Sequence, residues 1–180
     1  MKGSKIAVRY AKALFSIAKN DAEIEKIKMD VDFIAGICKN RDFRAMLNSP
    51  VIRTNKKEAI FKDIFDGATS KDTLLFLNVL IQNRRESNLP EICDSFNDLY
   101  NKHKSIMVVY VNSAVALSDT ERNKITELVK NHTKCSVQLH ETVDSKLIGG
   151  FILRFGDSQI DNSVTSKLSR VKQQLTQKIQ

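Results

Sequence analysis

Residues 99–113 read LYNKHKSIMVVYVNS, and the period of the hydrophobic pattern changes inside them. As far as Tyr100 the apolar residues recur at steps of three and four, the spacing of helices that bury one face. From Ile106 to Val111 the run IMVVYV is β-branched and aromatic and apolar on both faces, which is the composition of a buried strand. No Gly/Ser-rich linker lies between the two regimes. The break predicts two closely joined parts in an α+β chain: an α-helical bundle over residues 1–105 and a small α/β part over residues 106–180.

Upstream of the break, about six helices are expected. Ile6, Tyr10, Ala13, Leu14 and Ile17 form the first apolar stripe, with Lys5, Arg9, Lys12 and Ser16 between them. Ile24, Ile27, Val31, Ile34 and Cys38 form the second. A short helix over Phe43–Leu47 has to stop before Ser49-Pro50, because a residue preceding proline is pushed out of helical angles. Thr54 can cap a helix that carries Ile60, Phe61, Ile64 and Phe65 and ends at Gly67. The next segment, TLLFLNVLIQNRR, is apolar around nearly its whole circumference. Such a helix is either central to the bundle or has a second face covered by something else. The sixth helix starts near Pro90 and turns Ile92, Phe96, Leu99 and Tyr100 inward.

Downstream, the pattern predicts β-α-β-β-α. Ser118 and Glu121 have the spacing of a capping box, followed by Ile125, Leu128 and Val129 on a helix. SVQLHETV alternates as a half-buried strand. GGFILRF supplies the next, with Phe151, Leu153 and Phe155 on one side and a turn at Gly156-Asp157-Ser158. Val164, Leu168, Val171 and Leu175 give the last helix its stripe, opposite a Lys/Gln-rich face.

The composition excludes more than it suggests. The net charge of +8 is spread along the chain, +5 over residues 1–105 and +3 over the rest. That favours a solvated surface meeting acidic partners over nucleic acid. No run reaches the roughly 18–20 apolar residues that span a bilayer, so no direct membrane insertion is expected. The opening MKGSKIAVRYAKALF does not look like a secretory signal or a transit peptide. Cys38, Cys93 and Cys135 are far apart and form no CxxC pair, which suits free, buried thiols. His103, His132 and His140 have no metal-ligand spacing. There is no phosphate-binding glycine loop and no nucleophile elbow. Catalytic residues, metal and cofactor are all expected to be absent.

Two stretches carry information of another kind. Gly149-Gly150 opens a strand, where missing Cβ atoms allow unusual angles or a close approach, and Asp161 and Ser163 stand where they could cap the last helix. A hairpin and a cap account for these residues. The order and spacing of Val137, Leu139, Val143, Asp144, Leu147, Gly149, Gly150, Phe151, Leu153, Arg154 and Gly156 nevertheless resemble the signature of the delta subunit (OSCP) family of F-type ATP synthases. AVRYAKALF, Ala7–Phe15, resembles that family's opening helix, and NRRESNLPEICDSF resembles its turn into the sixth helix. The likeness covers essentially the whole chain. It departs at Asn162, where relatives often have glycine.

The resemblance implies a non-catalytic connector, one copy per complex, between the catalytic head and the peripheral stalk. It implies that the first and fifth helices hold the N-terminal helix of an alpha subunit, with Tyr10, Ala13, Leu14, Phe76 and Val79 as groove residues. It implies that the C-terminal part holds the b subunits through a region around Asp144, Gly149, Gly150, Gly156, Asp161, Ser163, Lys167 and Arg170. The location implied is peripheral, on the cytoplasmic side of a bacterial inner membrane. The alternative is an RNA-binding or antitermination-type adaptor, against which no GXXG loop or aromatic pair on a strand stands out in the sequence.

Overall fold

Ser4 caps the first helix, its Oγ accepting from Ala7 N at 3.2 Å. The computed structural model describes residues 4–133, 135–145, 147–156 and 158–177. It divides into two compact units, one ending at Tyr100 and one beginning at Asn101.

The first unit contains α1 (Lys5–Ile17), α2 (Asp21–Ile37), α3 (Arg41–Asn48), α4 (Thr54–Phe65), α5 (Lys71–Gln82), a 3-10 turn (Glu86–Asn88) and α6 (Leu89–His103), whose last residues enter the second unit. Side-chain oxygens cap α2 from Asn20, α3 from Asn40 and α5 from Ser70. The α4 cap is different from the expected one: Arg53 is the capping residue, without a side-chain bond, and Thr54 is already helical. Gly67 takes φ 77° just after α4, where a residue with Cβ would be strained. The α2 stripe is buried as read, Ile24, Ile27, Val31, Ile34 and Cys38 together. In α1 the inward face is rotated, to Ala7, Ala11 and Leu14, while Ala13 and Ile17 are exposed. Two alanines let that helix approach the core closely, and the larger Ile6 and Tyr10 are left at its flank, half-buried. The core is aromatic at its centre, where Phe43, Phe61 and Phe65 pack with ring centroids 5.5–6.2 Å apart.

The second unit holds β1 (Ile106–Ser113), α7 (Asp119–Thr133), β2 (Ser136–Val143), β3 (Phe151–Phe155), β4 (Ser158–Asp161) and α8 (Val164–Gln177). The strands form one mixed sheet in the order β2-β1-β3-β4, with β1–β2 parallel and the other pairs antiparallel. A parallel pair needs a crossover, and α7 supplies it. Val109, Val111 and Leu153 turn one face of the sheet onto Ile125 and Val129 of α7. The capping box forms, with Ser118 N on Glu121 Oε2 at 2.9 Å and Glu121 N on Ser118 Oγ at 3.4 Å. Leu128, expected inward, is 42% exposed.

Two departures concern the end of the chain. β4 is a strand where only a turn and a helix were expected, because the Gly156 turn, at φ 55°, folds Ser158–Asp161 back along β3. The expected inner stripe of α8 is open: Val164 is 37% and Leu168 60% exposed. Val171 and Leu175 lie outside the residues whose side chains are described.

Candidate functional site

The first candidate surface is where α1 meets α5. Tyr10 packs edge-on against Phe76, with ring centroids 6.3 Å apart, and Arg9 lies over the Tyr10 ring at 5.5 Å. α5 is held in place from α2: Asp30 Oδ2 accepts from Ser70 N, Ser70 Oγ and Thr73 Oγ1 at 2.6–3.0 Å. So fixed, α5 buries Thr73, Phe76, Leu77, Leu80 and Ile81. Of its other apolar side chains, Leu74 is half-buried against the core, while Leu75 and Val79 face water at 63% and 47% exposure. The helix is therefore one-sided toward the core, and its second apolar face is uncovered.

Of the five groove residues inferred from the resemblance, the structure brings Tyr10 and Phe76 into contact and leaves Ala13 and Val79 exposed nearby on the same helices. Leu14 is not at an open surface. It is 2% exposed and belongs to the core. Ile17 and Leu75 are exposed apolar residues that the resemblance did not name. The four-residue step from Leu75 to Val79 could have revealed this second stripe.

The second candidate surface is built around Gly149-Gly150. Gly150 has φ 82°, and a Cβ there would lie 2.4 Å from the Asn162 carbonyl oxygen. The strand start is thus pressed against the β4–α8 junction. Asn162 N donates to Phe151 O and Val164 N to Gly149 O, both at 3.0 Å, while Ala114 N reaches Gly150 O at 3.3 Å. Asp161 orders the junction: Oδ1 accepts from Ser163 N at 2.9 Å and Oδ2 from Ser166 Oγ at 2.7 Å. Ser163 then caps α8 by accepting from Ser166 N at 3.2 Å. These bonds, from Ser163 N first, hold the Asp161 carboxyl below its ordinary range, with Arg170 assisting. Asn162 keeps a negative φ and needs no left-handed angle.

Gly149, Gly150, Asp161 and Ser163 therefore come together as one joint. Gly156 does not join them, since it lies at the other end of β3. Asp144 N bonds Ser113 O at 2.9 Å, at the end of β1. Lys167 and Arg170 are exposed on α8, beside the open Val164 and Leu168.

Cys38 and Cys93 are buried as expected, whereas Cys135 is only half-buried. Burial pushes the Cys38 thiol up to about 11 and raises that of Cys93 further. Among the described residues, no group of three or more His, Cys, Asp or Glu could hold a metal ion, and no helix is long and apolar enough to cross a membrane. One buried ion pair escaped the sequence reading. Lys57 Nζ bonds Glu86 Oε1 at 2.6 Å and Leu47 O at 3.0 Å, tying α4 and the end of α3 to the 3-10 turn.

A family model described as ATP synthase delta (OSCP) subunit matches residues 6–175. The chain is similar to the chloroplastic ATP synthase delta chain of Chlamydomonas reinhardtii, 35% identical over 98% of this chain and 82% of that one. It is also similar to ATP synthase subunit delta of Lactobacillus gasseri, 35% identical over 95% of this chain and 94% of that one. The corresponding subunit of Cytophaga hutchinsonii is 29% identical over 99% and 98%. Among solved structures, a chain of the Toxoplasma gondii mitochondrial ATP synthase hexamer has the same fold, with TM-score 0.75 over 96% of this chain and 98% of that chain at 23% identity. The RNA-binding alternative finds no support among these relatives.

Proposed function

This chain belongs to the ATP synthase delta (OSCP) family, and from that premise we propose how its two units divide the work of a stator. It is a non-catalytic subunit of the F-type ATP synthase, part of the connection that keeps the head from turning with the rotor. Residues 1–105 bind the N-terminal helix of one alpha subunit, and residues 106–180 bind the b subunits of the peripheral stalk. The subunit sits on the cytoplasmic side of a bacterial inner membrane, brought there by its partners.

The observation that carries the first assignment is the uncovered apolar row on α1 and α5, comprising Ala13, Ile17, Leu75 and Val79 around the Tyr10–Phe76 contact. A guest helix would bury these side chains, and the small Ala13 would let its backbone approach. Ala13 is exposed in the free chain, so a charge there is tolerated by the fold and becomes costly only when a partner covers it. Ala13→Asp is expected to abolish binding of an alpha N-terminal peptide in calorimetry while the circular dichroism melt stays within a few degrees. An unchanged affinity would remove the assignment.

The open α8 side chains Val164 and Leu168, next to Lys167 and Arg170, support the stalk assignment. Leu168→Asp should weaken pull-down of a soluble b-subunit fragment without affecting the alpha peptide. Full retention of b binding would place the stalk contact elsewhere.

A further inference from the structure

The sheet of the second unit has two outer strands, and they differ in how they end it. β4, at one edge, is four residues long, Ser158–Asp161, and follows the Gly156 turn. β2, at the other edge, runs for eight residues, Ser136–Val143, and pairs one-to-one with β1 over its whole length, so it has no bulge. Its sequence, SVQLHETV, has no proline and no lysine. Its one charged side chain, Glu141, is drawn toward α7, where Arg122 Nε and Nη2 donate to its two oxygens at 2.5 and 3.0 Å. Shortness, proline, bulges and outlying charges are the means by which an edge is kept from pairing with another chain. β4 is short; β2 has none of these protections.

The hydrogen bonds at the two ends of β2 fix which backbone groups are in use. Ser136 N donates to Ser105 O and Asp144 N to Ser113 O, both at 2.9 Å. In a parallel ladder alternate residues bond the same neighbour, so the even-numbered residues turn their N–H and C=O toward β1. Val137, Leu139, Glu141 and Val143 turn theirs outward, where no strand pairs with them among the described residues. Four donors and four acceptors thus lie in a row along the open edge. Val137 and Leu139 pack beside the core on the α7 side, while Gln138 and His140 are exposed on the other.

A row of alternating donors and acceptors is matched by one kind of occupant, a second extended backbone. We propose that β2 takes up an extended segment of another subunit of the synthase as a fifth strand of this four-stranded sheet. The segment is apolar at the positions beside Val137 and Leu139, and polar or acidic between them. A second copy of this chain suits the edge less well, because residues 106–180 have net charge +3 and two such units would meet edge to edge. The exposed Val164 and Leu168 belong to α8, which follows β4 at the opposite edge. The proposal therefore rests on membership of the synthase and not on the stalk contact assigned to α8.

The test compares amide hydrogen exchange in the free full chain and in the purified synthase that contains it, resolved to single residues by mass spectrometry with electron-transfer fragmentation. In the free chain the amides of Leu139, Glu141 and Val143 are expected to exchange rapidly, and those of Gln138, His140 and Thr142 slowly. In the synthase the three fast amides should slow by about tenfold or more. Proline is accepted on an edge strand where the N–H it removes faced solvent. Glu141→Pro should therefore return Leu139 and Val143 in the synthase toward their free-chain rates. Glu141→Ala loses the same ion pair but keeps the N–H, and should leave them slow. Slow exchange at Gln138, His140 and Thr142 in both free variants verifies the β1–β2 ladder, and the wild-type comparison stands without either variant. A chain that co-purifies with the synthase while its three amides stay fast overturns the proposal alone; a chain that does not co-purify removes the stator reading with it. Equal slowing in Glu141→Pro would also overturn it. Slowing already present in the concentrated free chain, with the mass of a dimer, would overturn it in favour of a second copy.

Discussion

A methyl group at position 150 would have to share space with backbone: 2.4 Å from the Asn162 oxygen and 3.0 Å from the Ser163 Cα, at φ 82°. Backbone cannot swing aside as a flexible side chain can. Gly150→Ala is expected to destabilise the second unit by about 2–4 kcal/mol, combining left-handed strain with overpacking. Gly156 has φ 55° but open space around it, so Gly156→Ala should cost only about 1 kcal/mol. Urea midpoints of the two variants, measured together, check that order. The buried Lys57–Glu86 pair makes a different demand. Lys57→Met leaves a carboxylate unpaired in the interior and should cost about 3–5 kcal/mol, most of it recovered in Lys57→Met/Glu86→Leu. If the double variant were no better than the single one, the pair's energetics would lie in packing and not in charge.

Helix α8 shows how one element depends on a few groups at its start. Its first turn is tied to Asp161, whose carboxyl is held low by hydrogen bonds from Ser163 and Ser166. A carboxyl lowered on folding stabilises fully above its unfolded pKa of about 3.9 and loses that contribution as pH falls through the folded value. Amides of α8 should therefore lose protection on the acid limb, and Asp161→Asn should remove that pH dependence while weakening the helix at neutral pH. Helices α1 and α5 pose the converse case, in which one element serves two faces. Phe76→Ala should cost about 3–4 kcal/mol, whereas Val79→Ala should stay within about 0.5 kcal/mol and still weaken alpha-peptide binding. Most elements were legible because their signals were local: the α2 stripe, the stop before Pro50 and the Ser118–Glu121 box each lie within a few residues. β4 was not, since Ser158–Asp161 becomes a strand only by pairing with β3. The rotation of α1 was also hidden, because alanine is apolar enough for either face and tertiary packing chooses. At the candidate sites, the glycine pair announced a close approach, but no spacing rule links Lys57 to Glu86 across two helices.

At the scale of the molecule, the two units have separate cores with no buried residue in common. A fragment ending after His103, where α6 stops, is expected to keep its helical circular dichroism and unfold cooperatively. A broad, non-cooperative melt would mean that the first unit needs the second. The chain enters the second unit at Asn101, within the last turn of α6, and turns at Ser105, at φ 52°, into β1. That strand is interior to the sheet, flanked by β2 along Ile106–Ser113 and by β3 along Val109–Ser113. Tension transmitted along the polypeptide at this point therefore pulls lengthwise on a strand gripped from both edges. Bonds loaded in that direction share the force and must rupture together, where a strand peeled from an edge would open one bond at a time. For a subunit that spends its working life resisting torque, the central position of its first strand makes the entry to the second unit a shear joint.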